Sequence, residues 1–326
     1  MRIVCLPGDG IGPEVMASAR EVLATLAPDL ELEDHAFGGA AILAAGTPYP
    51  DETAAACLAA DAVLLGAVGL PQFDAADIRP EQGLLAIREG LDVYANLRPA
   101  RLGAVDLLVV RELVGGLYFG EKGTRADGTV FDTLEYHPDQ VERIARRGFE
   151  IARGRRRRVC SVDKANVLET SRMWRRVVTE VAADYPDVEL EHVLVDTAAM
   201  RLVTDPERFD VILTENTFGD ILSDEASAIT GGIGLAASAS LTDDGPGIFE
   251  PVHGSAPDIA GRGIANPAAM LRSAALMLEH GLGRRAEAQR LEAAVDEALE
   301  RARTADLGGH ATMAEMTAAV LEAIGR

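Results

Sequence analysis

The segment DVILTENTFGDILSDEASAITG, residues 210–231, decides how the rest of the chain is read. Val211, Ile212 and Leu213 make a short apolar run suited to a buried strand, a polar turn follows, and a helix is expected to begin near Gly219. Asp220 and Asp224 then share one helical face, about a turn apart. Like charges at that spacing destabilise a helix by roughly 0.2–0.5 kcal/mol. A divalent cation between them reverses the sign, because carboxylate oxygens are what Mg²⁺ or Mn²⁺ takes. In the alternative reading Asp220 caps the helix and Asp224 is favoured by its positive N-terminal end. Spacing alone leaves both readings open.

Outward from this segment, strand and helix patterns alternate. RIVCL (2–6) reads as a buried strand followed by a helix to about Leu26, and strand-like 30–36, helices from about 39 and after Pro50, and strand 61–67 continue the rhythm. Such alternation predicts an α/β fold, a parallel-rich sheet flanked by helices. The junction PGDGIGPEV has the spacing G-x-G-x-G, not the dinucleotide G-x-G-x-x-G, so it reads equally as a functional loop or a packing turn. A chain of 326 residues suits two domains. The closing amphipathic segments 265–281, 284–303 and 311–324, with no later strands of their own, are expected to pack back on the N-terminal sheet. That gives a discontinuous large domain (1–93 and 232–326) and an inserted smaller one (94–231).

Composition narrows the function. A net charge of −21 argues against nucleic-acid binding, and no apolar run reaches the length of a membrane span. The arginines of RGRRRR (153–158) read as the solvated, dipole-favoured end of helix 138–153. Cys5, Cys57 and Cys160 are odd in number and sit in apolar segments, as reduced core thiols do, and Met1 leads straight into a strand; a cytoplasmic protein is expected.

Lys122 and Lys164 are the only lysines among 31 basic residues. A lysine that survives such a bias is a candidate for work arginine cannot do, namely losing its proton. Lys122 lies in an exposed-looking turn, whereas Lys164 stands where the apolar strand VCSVD breaks into a helix, a setting whose desolvation makes an amine a usable base. A buried pair with Asp163 is the alternative. Arg88, Arg98 and Arg111 could together grip a dicarboxylate, and Asp196 is a third carboxylate at a strand end. Tyr118 sits in a predicted hairpin arm, 115–137, as a strand residue. GIFEPVHGSAPDIAGRGIANP (247–267) is long, rich in Gly and Pro and without periodicity, as functional loops are.

Taken together, Lys164, the three aspartates and the HGSAPDIAGRGIANP loop strongly resemble the metal-dependent decarboxylating dehydrogenases of the isocitrate/isopropylmalate family, over essentially all of 1–326. VRELVGGLYFGE (110–121) and SVDKANVLE (161–169) are similar to the 3-isopropylmalate branch; the isocitrate and tartrate branches more often carry an Arg-Glu-Asn type segment where Arg111, Glu112 and Leu113 stand. The resemblance implies that family's two-domain fold rather than a Rossmann nucleotide fold. It also implies a homodimer joined through an arm of the smaller domain, with a cleft site completed by the lysine and one aspartate of the other subunit. On this basis Arg88, Arg98 and Arg111 would hold the malate carboxylates, and Asp220 and Asp224, with Asp196 of the partner subunit, would bind Mg²⁺ or Mn²⁺. Lys164 would take the hydroxyl proton as hydride leaves for NAD⁺, the metal would stabilise the enolate formed as CO₂ departs, and Tyr118 would protonate the enol carbon.

His253, Gly254, Ser255, Ala256, Asp258, Ile259 and Asn266 match the family's adenosine-binding loop. Asp258 would bind the ribose hydroxyls and repel a 2′-phosphate; NADP-using relatives place Lys-Tyr where Asp258 and Ile259 stand, so the cofactor implied is NAD. Glu81, Leu84, Leu85 and Val167 would read the substrate side chain, the leucines suiting a branched alkyl group. The implied activity is oxidative decarboxylation of a 3-alkylmalate in leucine biosynthesis. VGLPQFD (68–74) and a short link from Arg98 to Arg111 depart from the family pattern and leave room for another 3-substituted malate, tartrate and homoisocitrate included. A non-catalytic regulatory subunit is disfavoured, because no base, metal ligand or arginine is missing.

Overall fold

Strand β1 (Arg2–Gly8) opens the chain and leads through a tight turn into helix α1 (Gly12–Leu26); β2 (Glu31–Asp34), α2 (Gly38–Ala45), α3 (Asp51–Leu58), β3 (Ala62–Ala67) and α4 (Pro80–Gly90) follow. The computed structural model describes residues 1–73 and 75–326, so Asp74, the last residue of the VGLPQFD departure, lies outside the described residues. The chain divides into two units, Met1–Val93 with Gly231–Arg326, and Tyr94–Thr230.

The second unit runs β4 (Ala95–Leu102), β5 (Val105–Glu112), β6 (Lys122–Thr124), β7 (Val130–Asp132), α5 (Pro138–Arg153), β8 (Arg158–Asp163), α6 (Glu169–Ala182), β9 (Glu189–Leu194), α7 (Val195–Thr204), β10 (Val211–Thr214) and α8 (Asn216–Ile229). The chain then returns to the first unit with β11 (Ala237–Leu241), β12 (Gly247–Pro251), α9 (Ala268–Leu276), α10 (Arg285–Arg301) and α11 (Met313–Ile324).

In the first unit the strand order is β2-β1-β3-β12-β11, parallel except for the β11/β12 hairpin. Its middle strand β3, AVLLGA, is buried along its whole length, as a parallel strand covered on both faces requires. Asp9, itself buried, ties three loops of this unit together by accepting from the backbone N–H groups of Gly39, Ala40 and Gly69. Gly10 has φ +57°, and a Cβ there would lie 2.0 Å from the Ser255 carbonyl oxygen, which also accepts from Ile11 N at 2.8 Å. GDGIG is therefore a packing turn that seats the 253–259 loop. The structure also corrects one expectation here: residues 247–251, read as part of an aperiodic loop, are strand β12, which pairs with β11, a strand the sequence reading did not place. The alternation of β11, ASASL, hides it in the sequence, because Ser238 and Ser240 are as buried as their alanine neighbours.

In the second unit the order is β4-β5-β10-β8-β9, with β4 antiparallel and the rest parallel. The register sets Arg111, Thr214 and Val162 side by side, so the carboxyl ends of β5, β10 and β8 finish level. Ligands of open α/β sheets bind at such ends. Further along these chains stand Glu112, Glu215 and Asn216, and Lys164; Asp196 lies just past β9, in the first turn of α7.

Three local expectations change. Helix α8 starts at Asn216, not near Gly219, and Glu215 caps it, accepting from Thr217 N at 3.0 Å and Phe218 N at 2.8 Å. Asp220 is thus not the cap. Tyr118 belongs to a single 3₁₀ turn, Gly116–Tyr118, rather than to a strand; the strands of the arm are the short pair β6/β7. The arginine run is not merely solvated: Arg155 grips the fully buried Asp210 at 2.8 Å and reaches Asp106 at 3.0 Å, while Arg156 donates to the backbone carbonyls of Asp106 and Phe209. These bonds fasten the chain leaving α5 to the starts of β5 and β10.

Candidate active site

The second unit gathers five of the expected residues into one cluster. Arg111, at the end of β5 and 1% exposed, donates from Nε and Nη2 to the Asn216 Oδ1 at 3.0 and 2.7 Å and from Nη1 to the Asp220 carboxylate. Tyr118 donates its hydroxyl to the other Asp220 oxygen at 2.9 Å. Arg98, from β4, reaches Asp224 at 3.3 Å and Asp220 at 3.4 Å, and is held by Asn96 and Ser223. Two arginines and a tyrosine thus converge on the two aspartates of α8.

Electrostatics follow from that arrangement. Burial raises the Asp224 carboxyl, and the neighbouring Asp220 charge adds to the rise while Arg98 opposes it. Burial, and then the Asp220 charge, push the Tyr118 phenol up, so it stays protonated and able to donate. Both carboxylates keep surface open, 36% of the Asp220 side chain and 53% of that of Asp224, so their remaining lone pairs can meet a ligand. An all-oxygen pair on one helical face fits a hard divalent cation. Among the described residues, no three His, Cys, Asp or Glu side chains come together as a metal site, so these two do not complete a coordination shell from one chain.

Lys164 lies apart from this group's contacts. Its amine is 2.5 Å from Asp196 Oδ1, with 27% of the lysine side chain and 61% of the aspartate exposed. The apolar setting expected of Lys164 is therefore not what surrounds it, and the pairing with Asp163 does not form. Asp163 is buried and bound twice by Arg175 at 2.8 Å, and it also accepts from Ala165 N. The ammonium partner depresses the Asp196 carboxyl below its usual range.

In the first unit, Glu81, Leu84, Leu85 and Arg88 occur at i, i+3, i+4 and i+7 of α4 and so share a face, with Glu81 exposed and the other three half-buried. Arg88 pairs with Glu250 at 3.0 Å, and its Nε is buried without a partner, a donor left for an anion. Val167, in the other unit, is an exposed residue in the turn after β8. The 253–259 loop presents Gly254 and Asp258 to solvent, buries Ser255 and holds Ala256 at φ +39°. His253 Nδ1 meets the Gly254 carbonyl at 2.9 Å, while its Nε2 is buried with no hydrogen-bond partner; burial lowers its pKa. A neutral ring with an orphaned nitrogen beside open backbone fits a nucleotide base. Asn266 is buried, its Oδ1 accepting from Ala268 N and its Nδ2 donating to Asp306.

Four residues around the cluster were missed in the sequence. Asn216 is fully buried and uses its whole hydrogen-bonding capacity, accepting twice from Arg111 and donating to the carbonyls of Leu113 at 3.1 Å and Gly115 at 2.9 Å. Glu112 and Glu215 are buried on either side of Tyr136, and burial pushes Glu112 up to about 7. For Glu112 and Glu215, a charge at the end of an otherwise apolar strand was the available signal.

A sequence-family model described as "Isocitrate/isopropylmalate dehydrogenase" matches residues 2–324. A 3-isopropylmalate dehydrogenase of Oceanobacillus iheyensis is 53% identical over 346 aligned residues, covering 98% of this chain and 94% of that protein. One of Zymomonas mobilis is 52% identical, covering 99% and 100%. The crystal structure of isocitrate dehydrogenase from Methylococcus capsulatus superposes with a TM-score of 0.93 at 37% identity, covering 100% of this chain and 99% of that one.

Proposed function

Because the chain belongs to the isocitrate/isopropylmalate dehydrogenase family, we propose that it oxidatively decarboxylates 3-isopropylmalate, the substrate in its relatives' names, with NAD⁺ and Mg²⁺ or Mn²⁺. The observation that carries this reading is Asp220 held between Arg111 and Tyr118 with Asp224 one turn further on.

Arg88, Arg98 and Arg111 bind the carboxylates of the dianion. Lys164 takes the proton of the C2 hydroxyl, so that the electron pair left on oxygen forms the ketone as hydride leaves C2. Tyr118, kept protonated by burial and by Asp220, returns a proton to C3 once the carboxylate there has departed as CO₂. When bound, NAD⁺ supplies the hydride acceptor and the divalent cation supplies Lewis-acid relief of charge on the C2 oxygen. Asp220 and Asp224 would hold the cation; His253, Gly254, Ser255, Ala256, Asp258, Ile259 and Asn266 would hold the adenosine end of NAD. Leu84 and Leu85, half-buried on the face of α4 that carries Arg88, favour an alkyl substituent over a third carboxylate.

The third carboxylate of the metal site and the base come from a second copy, as Asp196 and Lys164, in a homodimer. That no third acid joins Asp220 and Asp224 as a metal site among the described residues of one chain supports this. The two units serve as the enzyme's large and small domains, and three buried unpaired thiols suit the cytoplasm. No helix among the described residues is long and apolar enough to cross a membrane. NADH formation measured with 3-isopropylmalate, isocitrate, tartrate and homoisocitrate, with and without Mn²⁺, tests the proposal. Highest kcat/KM with 3-isopropylmalate, lost on chelation, is expected; turnover of isocitrate but not of alkylmalates would refute it.

A further inference from the structure

Tyr118 reaches Asp220 from a turn that Asn216 holds through the Leu113 and Gly115 carbonyls and that Glu135 holds through Gly116 N. Between the end of β5 and the single 3₁₀ turn Gly116–Tyr118 the chain must reverse, and Glu112 directs the reversal: its carboxylate accepts from Val114 N at 3.2 Å and from Gly115 N at 2.9 Å. Tyr136 packs on the same turn and hydrogen-bonds Glu112. A Cβ on Gly115 would come 2.6 Å from the Tyr136 ring and 3.1 Å from Glu112 Oε2. At Gly116, with φ +77°, a Cβ would come 2.6 Å from the Tyr136 hydroxyl. The turn thus rests on a fully buried carboxylate and a half-buried ring, and Tyr118 is two residues further on.

Glu112 touches neither of the aspartates nor an arginine of the cluster through any of these bonds, and burying its carboxylate costs free energy that the two backbone donors offset only in part. We propose that Glu112 is a positioning residue that, with Tyr136, fixes the Gly115–Gly116 turn and so sets the Tyr118 hydroxyl on Asp220. The proposal rests on the reading of Tyr118 as the proton donor.

Glu112→Gln tests it, since glutamine keeps the volume but can accept only one of the two backbone donors and turns an N–H toward the other. With 3-isopropylmalate, NAD⁺ and Mn²⁺, kcat of the variant should fall about tenfold, part of what a general acid contributes, while KM for the substrate stays within roughly twofold because the arginines keep their own partners. In a Tyr118→Phe background the same change should cost nothing further, because the group that Glu112 positions is gone. Equal losses in both backgrounds, or an unaffected kcat, overturn the proposal. An unimpaired Tyr118→Phe variant overturns it together with the donor role. Should Glu112→Gln fail to fold, Gly116→Ala displaces the turn from the Tyr136 side and should reproduce the kcat-selective loss; a Gly116→Ala enzyme with wild-type kcat overturns the proposal. A crystal structure of Glu112→Gln gives a readout independent of turnover. Tyr118 Oη moved off Asp220 supports the clamp, and Tyr118 Oη retained on Asp220 refutes it, even if a wild-type protein inactive on every malate tested had sunk the proposed function.

Discussion

Replacing Gly219 with alanine asks whether the backbone of α8 is what holds Arg111 in place. Gly219 faces the Arg111 side chain so closely that an added Cβ would lie 2.6 Å from its Cγ, 2.8 Å from its Cβ and 3.1 Å from its Cδ. These are the near, stiff atoms of a side chain that is 1% exposed, so the guanidinium cannot swing aside into solvent. Alanine in a helix interior gains about 1 kcal/mol over glycine, and overpacking a core contact costs about 1–3 kcal/mol. The net expectation is a loss of stability of roughly 0–2 kcal/mol, a few degrees in Tm at most. Activity should suffer more. Moving the stem displaces a fork aligned on Asn216 and Asp220, and losing one hydrogen bond of a charged group costs about 1.5–3 kcal/mol, which is roughly 10- to 150-fold in kcat/KM. Thermal unfolding and steady-state NADH formation measure the two effects on one preparation. Gly90→Ala, in α4 with nothing within 4 Å of the new Cβ, serves as the control. A Gly219→Ala enzyme more stable than wild type with unchanged kcat/KM would refute the argument.

Lys164→Arg keeps the exposed ion pair with Asp196, so Tm should move by about a degree or less, while kcat falls by about 100-fold or more because a guanidinium cannot serve as the base; a retained kcat would remove Lys164 from the chemistry. Exchanging Asp258 and Ile259 for lysine and tyrosine should move cofactor preference from NAD⁺ toward NADP⁺, read as the ratio of kcat/KM values, and an unmoved ratio would show that the 2′-position is read elsewhere. Glu112 makes the protein's stability depend on pH. Its carboxyl is raised from 4.5 to about 7, so between those values the folded chain binds a proton that the unfolded chain has lost, and stability falls as pH rises through that window, by about 3 kcal/mol in all. Calorimetry of wild type and Glu112→Gln at pH 5 and pH 8 should show a smaller decline in the variant; parallel declines would mean that Glu112 is ionised at pH 5.

Much of the fold was legible because it rests on local periodicity. β3 and β10 are apolar runs buried in full, and α5 spans Pro138–Arg153 as its amphipathic pattern indicates. β11 escaped because buried serines took the place of the apolar residues that mark a strand. The i, i+4 spacing of Asp220 and Asp224 was readable, but the helix start was not, since Glu215 is an unusual cap and its two bonds to Thr217 and Phe218 are a property of the folded turn. The family resemblance set Lys164 near Asp196, where it stands, but other partners distant in sequence stayed hidden: Asn216 joins Arg111 to the Leu113–Gly115 turn over more than a hundred residues. The arginine run misled for the same reason, because Asp210 and Asp106 are supplied by other strands.

The claim on which the account turns is that one hydroxyl is attacked by an amine from one chain while the cation that steadies it is caged mainly by the other. Lys164→Ala and Asp220→Asn homodimers should each be inactive. Unfolding and refolding them together in equal amounts leaves about half the dimers mixed, each with one complete site, so about one quarter of wild-type activity should return. Activity no higher than that of the two inactive variants alone would place Lys164 and Asp220 in the same chain's site and contradict the account.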